Sequence, residues 1–183
     1  MQRSGVRFPS VHSRIRLFHK LSKKMKSQTT FLDHEEALAL LALAGSAEAY
    51  VRDEIPVGAI LCDQWGRVLS QSGNCPISSH DPVGHAEIIA MTQACQRIAN
   101  YRLINTNMTV SLEPCPLCLE ALKIARVSRI SFLCERTKTT STNSEKTTKI
   151  EPAKYLQYMK DEESLKKVSS QILRFFFARR RGI

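Results

Sequence analysis

From residue 33 to residue 134, apolar and polar positions fall into short blocks that alternate between helical and strand periodicity. Asp33-His34-Glu35-Glu36 has the form of a capping box, an acceptor side chain followed three residues later by Glu. The Ala- and Leu-rich stretch behind it predicts a helix to about Arg52, ended by Pro56 and Gly58. Val57–Cys62 and Arg67–Ser72 read as two strands joined by a turn at 63–66. Residues 73–84 hold two Pro and two Gly and predict a loop. Residues 85–99 predict a helix with Ile88, Ile89, Met91, Ala94, Cys95 and Ile98 on its apolar stripe. Asn107–Leu112 then predicts a strand, Pro116–Arg126 a helix with Pro in its tolerant first turn, and Val127–Cys134 another strand. Residues 136–150 are dominated by Thr, Ser and Lys and predict a loop, and 161–178 predict a helix that ends in Phe175-Phe176-Phe177. Burial of two of these three rings is expected from a helix end packed on a core.

The order β-β-α-β-α-β predicts an α/β sandwich built around a mixed sheet. A chain of 183 residues suffices for one ordinary domain, and a 43% hydrophobic content excludes a disordered chain. The expected division is a basic N-terminal extension over 1–30 and a folded domain over 31–183 that ends in a basic helix. No apolar run approaches the roughly 18 residues that cross a bilayer, so a soluble protein with no membrane partner is expected.

The net charge of +10 is unevenly placed. Residues 1–26 carry eight Lys or Arg and no acid, and Arg174, Arg179, Arg180 and Arg181 close the chain. Basic termini suit a polyanion such as RNA, and solvated tails are the plainer reading. Residues 1–26 also have the Arg-rich, Ser-containing, acid-free composition of an organelle transit peptide. A start at Met25 and a basic arm on nucleic acid share that composition, so a cytoplasmic location stands beside organelle targeting by residues 1–26.

Candidate chemistry lies in two segments, His85-Ala86-Glu87 and Pro114-Cys115-Pro116-Leu117-Cys118, each where a helix is predicted to start. The partial positive charge of a helix N-terminus favours thiolate over thiol. Cys115 and Cys118 are three apart, share one helix face and can reach one ion. His and Cys are zinc ligands, and three protein ligands leave a fourth place for water, the arrangement of catalytic zinc. Glu87, two residues from His85, can stay outside the metal shell and take a proton from that water. Taken singly, a His is more often an ordinary polar residue and a C-x-x-C is often a redox pair or half of a structural site. His-x-Glu followed, after 26 residues, by Pro-Cys-x-x-Cys is instead the signature of zinc-dependent nucleobase deaminases. The irregular spacing of the six cysteines argues against a disulfide framework. Cys62, Cys95 and Cys134 are expected to be buried structural thiols, and Cys75 lies in the loop near the presumed site without being a ligand.

With these motifs the chain resembles the bacterial-type tRNA adenosine deaminases of the cytidine deaminase superfamily. The resemblance covers about residues 33–134. It rests on Glu54-Ile55-Pro56-Val57-Gly58-Ala59, Asn74, His80-Asp81-Pro82, His85-Ala86-Glu87, Asn100-Tyr101-Arg102-Leu103-Ile104 and Leu112-Glu113-Pro114-Cys115-x-x-Cys118. Phe175-Phe176 before a basic run resembles the terminal anchor of that family. The resemblance implies a three-layer α/β/α fold with about five strands in a mixed sheet, and a homodimer. It implies one zinc per subunit held by His85, Cys115 and Cys118, with Glu87 as proton shuttle. Conversion of adenosine to inosine at the wobble position of a tRNA anticodon stem-loop is the implied reaction. Asn74 matches a residue that holds the target nucleoside, and Val57 one that lines the base pocket. The backbone N–H of Ala86 faces the water or base in such sites, and His80, Asp81 and Pro82 match a loop that meets the anticodon backbone.

The chain departs from the pattern after the strand at 127–134, where Arg136 stands in place of an acid and no glycine follows. Residues 140–160 match nothing in the family pattern, and its fifth strand is not legible. Two other functions fit part of the pattern. Cys115-Pro116-Leu117-Cys118-Leu119 also resembles guanine deaminases, which supports a free-base or nucleoside deaminase of guanine or cytidine type. A non-catalytic zinc-containing RNA-binding subunit is the other, and the presence of Glu87 weighs against it.

Overall fold

The computed structural model describes residues 34–136, 156–158 and 163–182. The basic extension over 1–30 and the polar loop over 137–150 lie outside the described residues, as do 31–33, 151–155, 159–162 and 183. Helix α1 spans His34–Val51, followed by strands β1 (Gly58–Asp63) and β2 (Val68–Gly73). A single turn, α2 (Pro76–Ser79), lies within the expected loop and precedes α3 (Ala86–Ile98). Strand β3 (Thr106–Leu112), α4 (Pro116–Ile124) and β4 (Arg129–Cys134) follow. The short strand β5 (Leu156–Tyr158) and α5 (Glu163–Arg181) complete the order.

The strands form one mixed sheet in the order β2-β1-β3-β4-β5. β1 is antiparallel to both β2 and β3, whereas β3, β4 and β5 are parallel. The parallel step from β3 to β4 is why α4 lies between them, since a parallel pair needs a crossover. β5, unread in the sequence, has only three residues and pairs Ile130 with Leu156, too short a run to show periodicity.

Every residue of β1 is buried, because both faces of this central strand are covered. Ala59 and Leu61 face Ala86, Ala90 and Ala94 of α3 and Leu119 and Leu122 of α4. Ile60 and Cys62 alternate to the other face, against Leu38 and Ala42 of α1. On that same side Ala39 and Leu43 of α1 meet Leu133 and Leu165, which docks α5. The result is the expected three-layer α/β/α sandwich. Within the described residues no helix is long and apolar enough to cross a membrane.

Two expectations about packing are corrected. The buried face of α3 is Ala86, Glu87, Ala90 and Ala94, while Ile88, Ile89 and Met91 are only half-buried and Ile98 is 39% exposed. Alanines at four-residue spacing let the helix lie close to β2, where Ser70 Oγ donates to Ala90 O at 2.7 Å and Ser72 Oγ to Ala86 O at 2.6 Å. In the terminal aromatic run only Phe176 is buried, and Phe175 is 66% exposed. Consecutive helical positions point about 100° apart, so one ring in three reaches the core. Arg179 pairs with Asp53, Arg180 donates to Asp53 O at 2.6 Å, and the two guanidinium groups lie over Tyr50 and Phe176. Two of the four terminal arginines therefore pin α5 to the body. Among the other cysteines, Cys62 is buried as expected, but Cys95, in the last turn of α3, and Cys134, the last residue of β4, are half-buried.

The layers approach most closely at Gly58. A Cβ there would lie 2.1 Å from Ala42 O and 2.3 Å from Ser46 N, both backbone atoms that cannot swing aside. Gly58→Ala is expected to destabilise the fold by about 2–3 kcal/mol through overpacking, read as a lowered midpoint in urea. An unchanged midpoint would show that α1 is free to shift.

Candidate metal centre and its surroundings

Strand direction brings the chemistry together. β2 and β3 both end, at Gly73 and Leu112, on the edge of the sheet where β1 begins at Gly58. The chain leaving β3 enters α4 with Cys115 as N-cap, and the loop leaving β2 enters α3 with His85 as N-cap. Both caps have extended backbone, which turns their side chains across the helix starts. His85 Nδ1 lies 3.3 Å from Cys118 Sγ and 3.5 Å from Cys115 Sγ, and the two sulfurs are 3.3 Å apart. The N–H of Cys118 donates to Cys115 Sγ at 3.5 Å.

This triangle fits a metal better than it fits three free side chains. Hydrogen bonding with Cys118 brings Cys115 down to about 5, and the same contact together with burial pushes Cys118 up. The pair thus shares one proton between two sulfurs in contact, and ionisation of both needs a cation between them. Bond lengths of about 2.3 Å to sulfur and 2.0–2.1 Å to nitrogen in a tetrahedron give edges of about 3.5–3.8 Å, within about 0.5 Å of those observed. Among the described residues His85, Cys115 and Cys118 are the one such group of potential ligands.

Glu87 lies in the first turn of α3 beside this cluster and is 4% exposed. Burial pushes its carboxyl above the ordinary carboxylate range, and the nearby Cys115 thiolate adds to that rise. A carboxyl raised in this way, beside the three donors, can both take and return a proton.

The remaining expected residues divide into two groups. Asn74 and Val57 are buried and adjacent, with Asn74 N–H donating to Val57 O at 2.9 Å. Asn74 Oδ1 accepts the N–H of Ala86 at 2.8 Å. That N–H is therefore engaged by Asn74, where it was expected to face the water or base. The same bond ties the β2 exit to the first turn of α3 and leaves the Asn74 amide nitrogen to donate elsewhere. His80, Asp81 and Pro82 stand apart from the donors on the loop between α2 and α3, with His80 and Pro82 exposed. Asp81 organises that loop, accepting Val83 N–H at 2.9 Å and Gly84 N–H at 3.0 Å.

Two groups of positioning residues carried no role in the sequence reading. Glu54 is 1% exposed, and its carboxylate accepts the N–H groups of Ser78 at 2.7 Å and Ile77 at 3.3 Å, capping α2 from across the fold. Ser70 and Ser72 hold α3 through its carbonyls, and their spacing of two on a strand was the available signal. At the departure, Arg136 donates its N–H to Glu113 Oε2 at 3.0 Å.

The fold and the donor set define a zinc protein of the catalytic type, with three protein ligands and a carboxyl beside them. The family model for the cytidine and deoxycytidylate deaminase zinc-binding region matches residues 32–134, and the chain belongs to this family. It is 44% identical over 87 residues to the tRNA-specific adenosine deaminase of Haemophilus influenzae, covering 48% of this chain and 49% of that protein. Its likeness to the Aquifex aeolicus protein of the same name is 34% over 93 residues, 51% of this chain and 61% of that one. The matched region spans about half the length of these curated relatives. A solved structure from a study of A-to-I editing by tRNA:A34 deaminases superposes with a TM-score of 0.63 at 29% identity, covering 75% of this chain and 99% of that one. Guanine deaminase from Bacillus subtilis superposes with a TM-score of 0.53 at 30% identity, covering 57% and 66%.

Two measurements test this geometry. Cys118→Ser is expected to abolish stoichiometric zinc and lower the melting temperature, because metal binding is linked to folding. Full zinc content in that variant, by elemental analysis, would refute the ligand set. For Glu54, burial acts to raise the pKa but the N–H bonds from Ser78 and Ile77 outweigh it, so the carboxyl is held below its ordinary value. The unfolded state then binds the proton more readily. Its stabilisation is present above about pH 4.3 and is lost as pH falls through the lower folded value. Melting temperatures of the parent protein are expected to fall more steeply on acidification than those of Glu54→Gln; parallel curves would remove Glu54 from this role.

Proposed function

We propose that the folded domain over 31–183 hydrolyses adenosine to inosine at the wobble position of a tRNA anticodon. The observation that carries this reading is the closed triangle of His85, Cys115 and Cys118 beside the buried Glu87. In it, the three side chains would hold zinc, which would supply Lewis-acid activation of a water molecule. Glu87 accepts a proton from that water as its oxygen attacks C6 of the purine, and returns the proton to the amino group as the C6–N6 bond breaks. Water and adenosine are thereby consumed, and inosine and ammonia are formed. Asn74, anchored through Ala86 N–H, offers its amide to the nucleoside, and Val57 closes one side of the base pocket. An anticodon loop presents unpaired bases, so little stacking is lost when one enters the pocket. The loop of His80, Asp81 and Pro82, with His80 and Pro82 exposed, suits contact with the RNA backbone. A homodimer, as in the resembled family, belongs to this proposal, as does a cytoplasmic location.

The tRNA reading is supported by the likeness to relatives named for that activity and by the full coverage of the tRNA:A34 deaminase structure. The 30% identity to a guanine deaminase supports the alternative of a free base as substrate. Incubation of the zinc-loaded protein with a tRNA bearing adenosine at the wobble position, and separately with guanine, cytidine and adenosine, discriminates them. Inosine in the tRNA alone is expected; turnover of a free compound with the tRNA untouched would replace this reading with the alternative. Glu87→Ala is expected to lower turnover by about 10²–10⁴-fold while zinc content and RNA affinity persist. Undiminished deamination in that variant would remove Glu87 from proton transfer.

A further inference from the structure

At the end of the sheet remote from the metal centre, three connections meet: the β1–β2 turn, the segment between α3 and β3, and the segment between α4 and β4. β3 runs from Thr106 at that end to Leu112 at the metal end, a separation of about 20 Å. We propose that this rim binds a single-stranded RNA segment, independently of the catalytic pocket. The proposal goes beyond the deaminase reading and does not require it.

The first observation is a pair of exposed rings, each with an arginine laid on it. Trp65 is 70% exposed and Tyr101 is 65% exposed. The guanidinium of Arg67 lies 4.7 Å from the Trp65 ring centroid, and that of Arg102 lies 4.8 Å from the Tyr101 centroid. Neither ring is used by the core. An exposed ring backed by a guanidinium is a stacking platform for an unpaired base, and Arg102, with no carboxylate partner among the described residues, is placed to meet the adjoining phosphate.

The second observation is charge. Residues 64–80, 88–112 and 121–134 contain no Asp or Glu. The nearest acids are already committed, Asp63 to Arg67 at 2.6 Å, Glu35 to Arg129 at 2.7 Å and Glu120 to Lys123 at 2.6 Å. Arg97, Arg102 and Arg126 are exposed and have no carboxylate partner among the described residues. A free polyanion is therefore the fitting partner, and an acidic rim on another protein would lack the unpaired bases that the rings can take.

The third observation is that the rim is continuous and held. Arg97 Nη1 donates to Val68 O at 3.2 Å and Leu69 O at 3.0 Å, which sets it beside Arg67. Asn100 Oδ1 accepts Arg102 N–H at 2.9 Å, and Asn100 N–H returns to Cys95 O at 3.0 Å. Leu103 N–H donates to Ala125 O at 2.6 Å, joining the Tyr101–Arg102 step to Arg126. Asp63 Oδ1 accepts the N–H groups of Trp65 at 3.0 Å and Arg67 at 2.9 Å, and Gly66 takes a φ of 82°, so the turn is fixed. A prearranged platform loses little entropy when a strand lies across it.

Trp65 is the sole tryptophan of the chain, so its fluorescence reports on this rim alone. The full-length, zinc-loaded protein is titrated with oligouridylate of ten residues, which contains no adenosine. Saturable quenching of Trp65 is expected. By anisotropy of the labelled oligomer, Trp65→Ala is expected to weaken binding about tenfold and Trp65→Phe much less. The triple variant Arg97→Ala, Arg102→Ala, Arg126→Ala is expected to reduce the salt dependence, d log K/d log[salt], by about 2. Deamination of an anticodon stem-loop should not change in any of these. The milder pair Arg102→Ala, Arg126→Ala serves if loss of the Arg97 carbonyl contacts unfolds the triple variant. Binding without a change in Trp65 emission, or with unchanged affinity in both arginine variants, would overturn the proposal and place the oligomer elsewhere. Equal quenching by heparin would also overturn it, since no base stacks. So would a change in Trp65 emission on raising protein concentration alone, which would make the rim a contact between copies of the chain.

Discussion

Two sulfurs and an imidazole nitrogen held within 3.5 Å of one another are the constraint on which the rest of the site depends. Two thiolates in contact repel strongly, so the arrangement is stable only with a shared proton or a cation. Helix N-termini on both sides supply part of the compensation. Zinc supplies the remainder and draws both sulfurs into the ionised form. Folding therefore creates the demand for the metal, because the donors come from two helices whose starts are placed by the ends of β2 and β3. The tightness of the layers keeps those starts in register. Serines of β2 bind the carbonyls of α3, and Asn74 binds its first N–H, so the helix that carries His85 and Glu87 is held from both directions along its backbone.

The same economy of short contacts explains the distribution of small residues. Gly45, Gly58 and Gly73 lie where α1 crosses β1 and β2, and any side chain there would strike backbone. Alanines form the inner face of α3. Bulk is displaced outward, which leaves isoleucines of α3 half-buried and brings the sheet close to the metal-bearing helix starts. Ser111 serves both sides of β3, accepting Gly58 N–H through its hydroxyl at 3.0 Å and Ser169 Oγ–H through its carbonyl at 2.7 Å. The C-terminal helix is thereby linked to the strand that leads to Cys115.

Positive charge is used in two ways at opposite ends of the sheet. Arg179 and Arg180 are engaged with Asp53, and their stems and guanidinium planes cover Tyr50 and Phe176. They are structural cations, although in the sequence they read as part of a free basic tail. Arg97, Arg102 and Arg126 looked unremarkable in the sequence, scattered over thirty residues. The fold gathers them on one rim with the exposed rings of Trp65 and Tyr101. Net charge is thus a poor guide to where an anion is met, since partners drawn from distant parts of the chain decide which arginines stay available.

His85-Ala86-Glu87 and Pro114-Cys115-x-x-Cys118 determined the donor set and its neighbouring carboxyl, because ligand spacing along a helix start is local geometry. The alternation of periods likewise determined the helices and the first four strands to within two or three residues. Three-residue β5 and the single turn α2 were illegible, since neither is long enough to express a period. Glu54 showed its motif but not its task, because the N–H groups it caps lie more than twenty residues away. Which of Phe175, Phe176 and Phe177 is buried, that Ala86 N–H is taken by Asn74, and which arginines remain unpaired were decided only by tertiary structure. Those outcomes depend on side chains brought together from separate elements, and one-dimensional patterns encode the chemistry of a group without its partner.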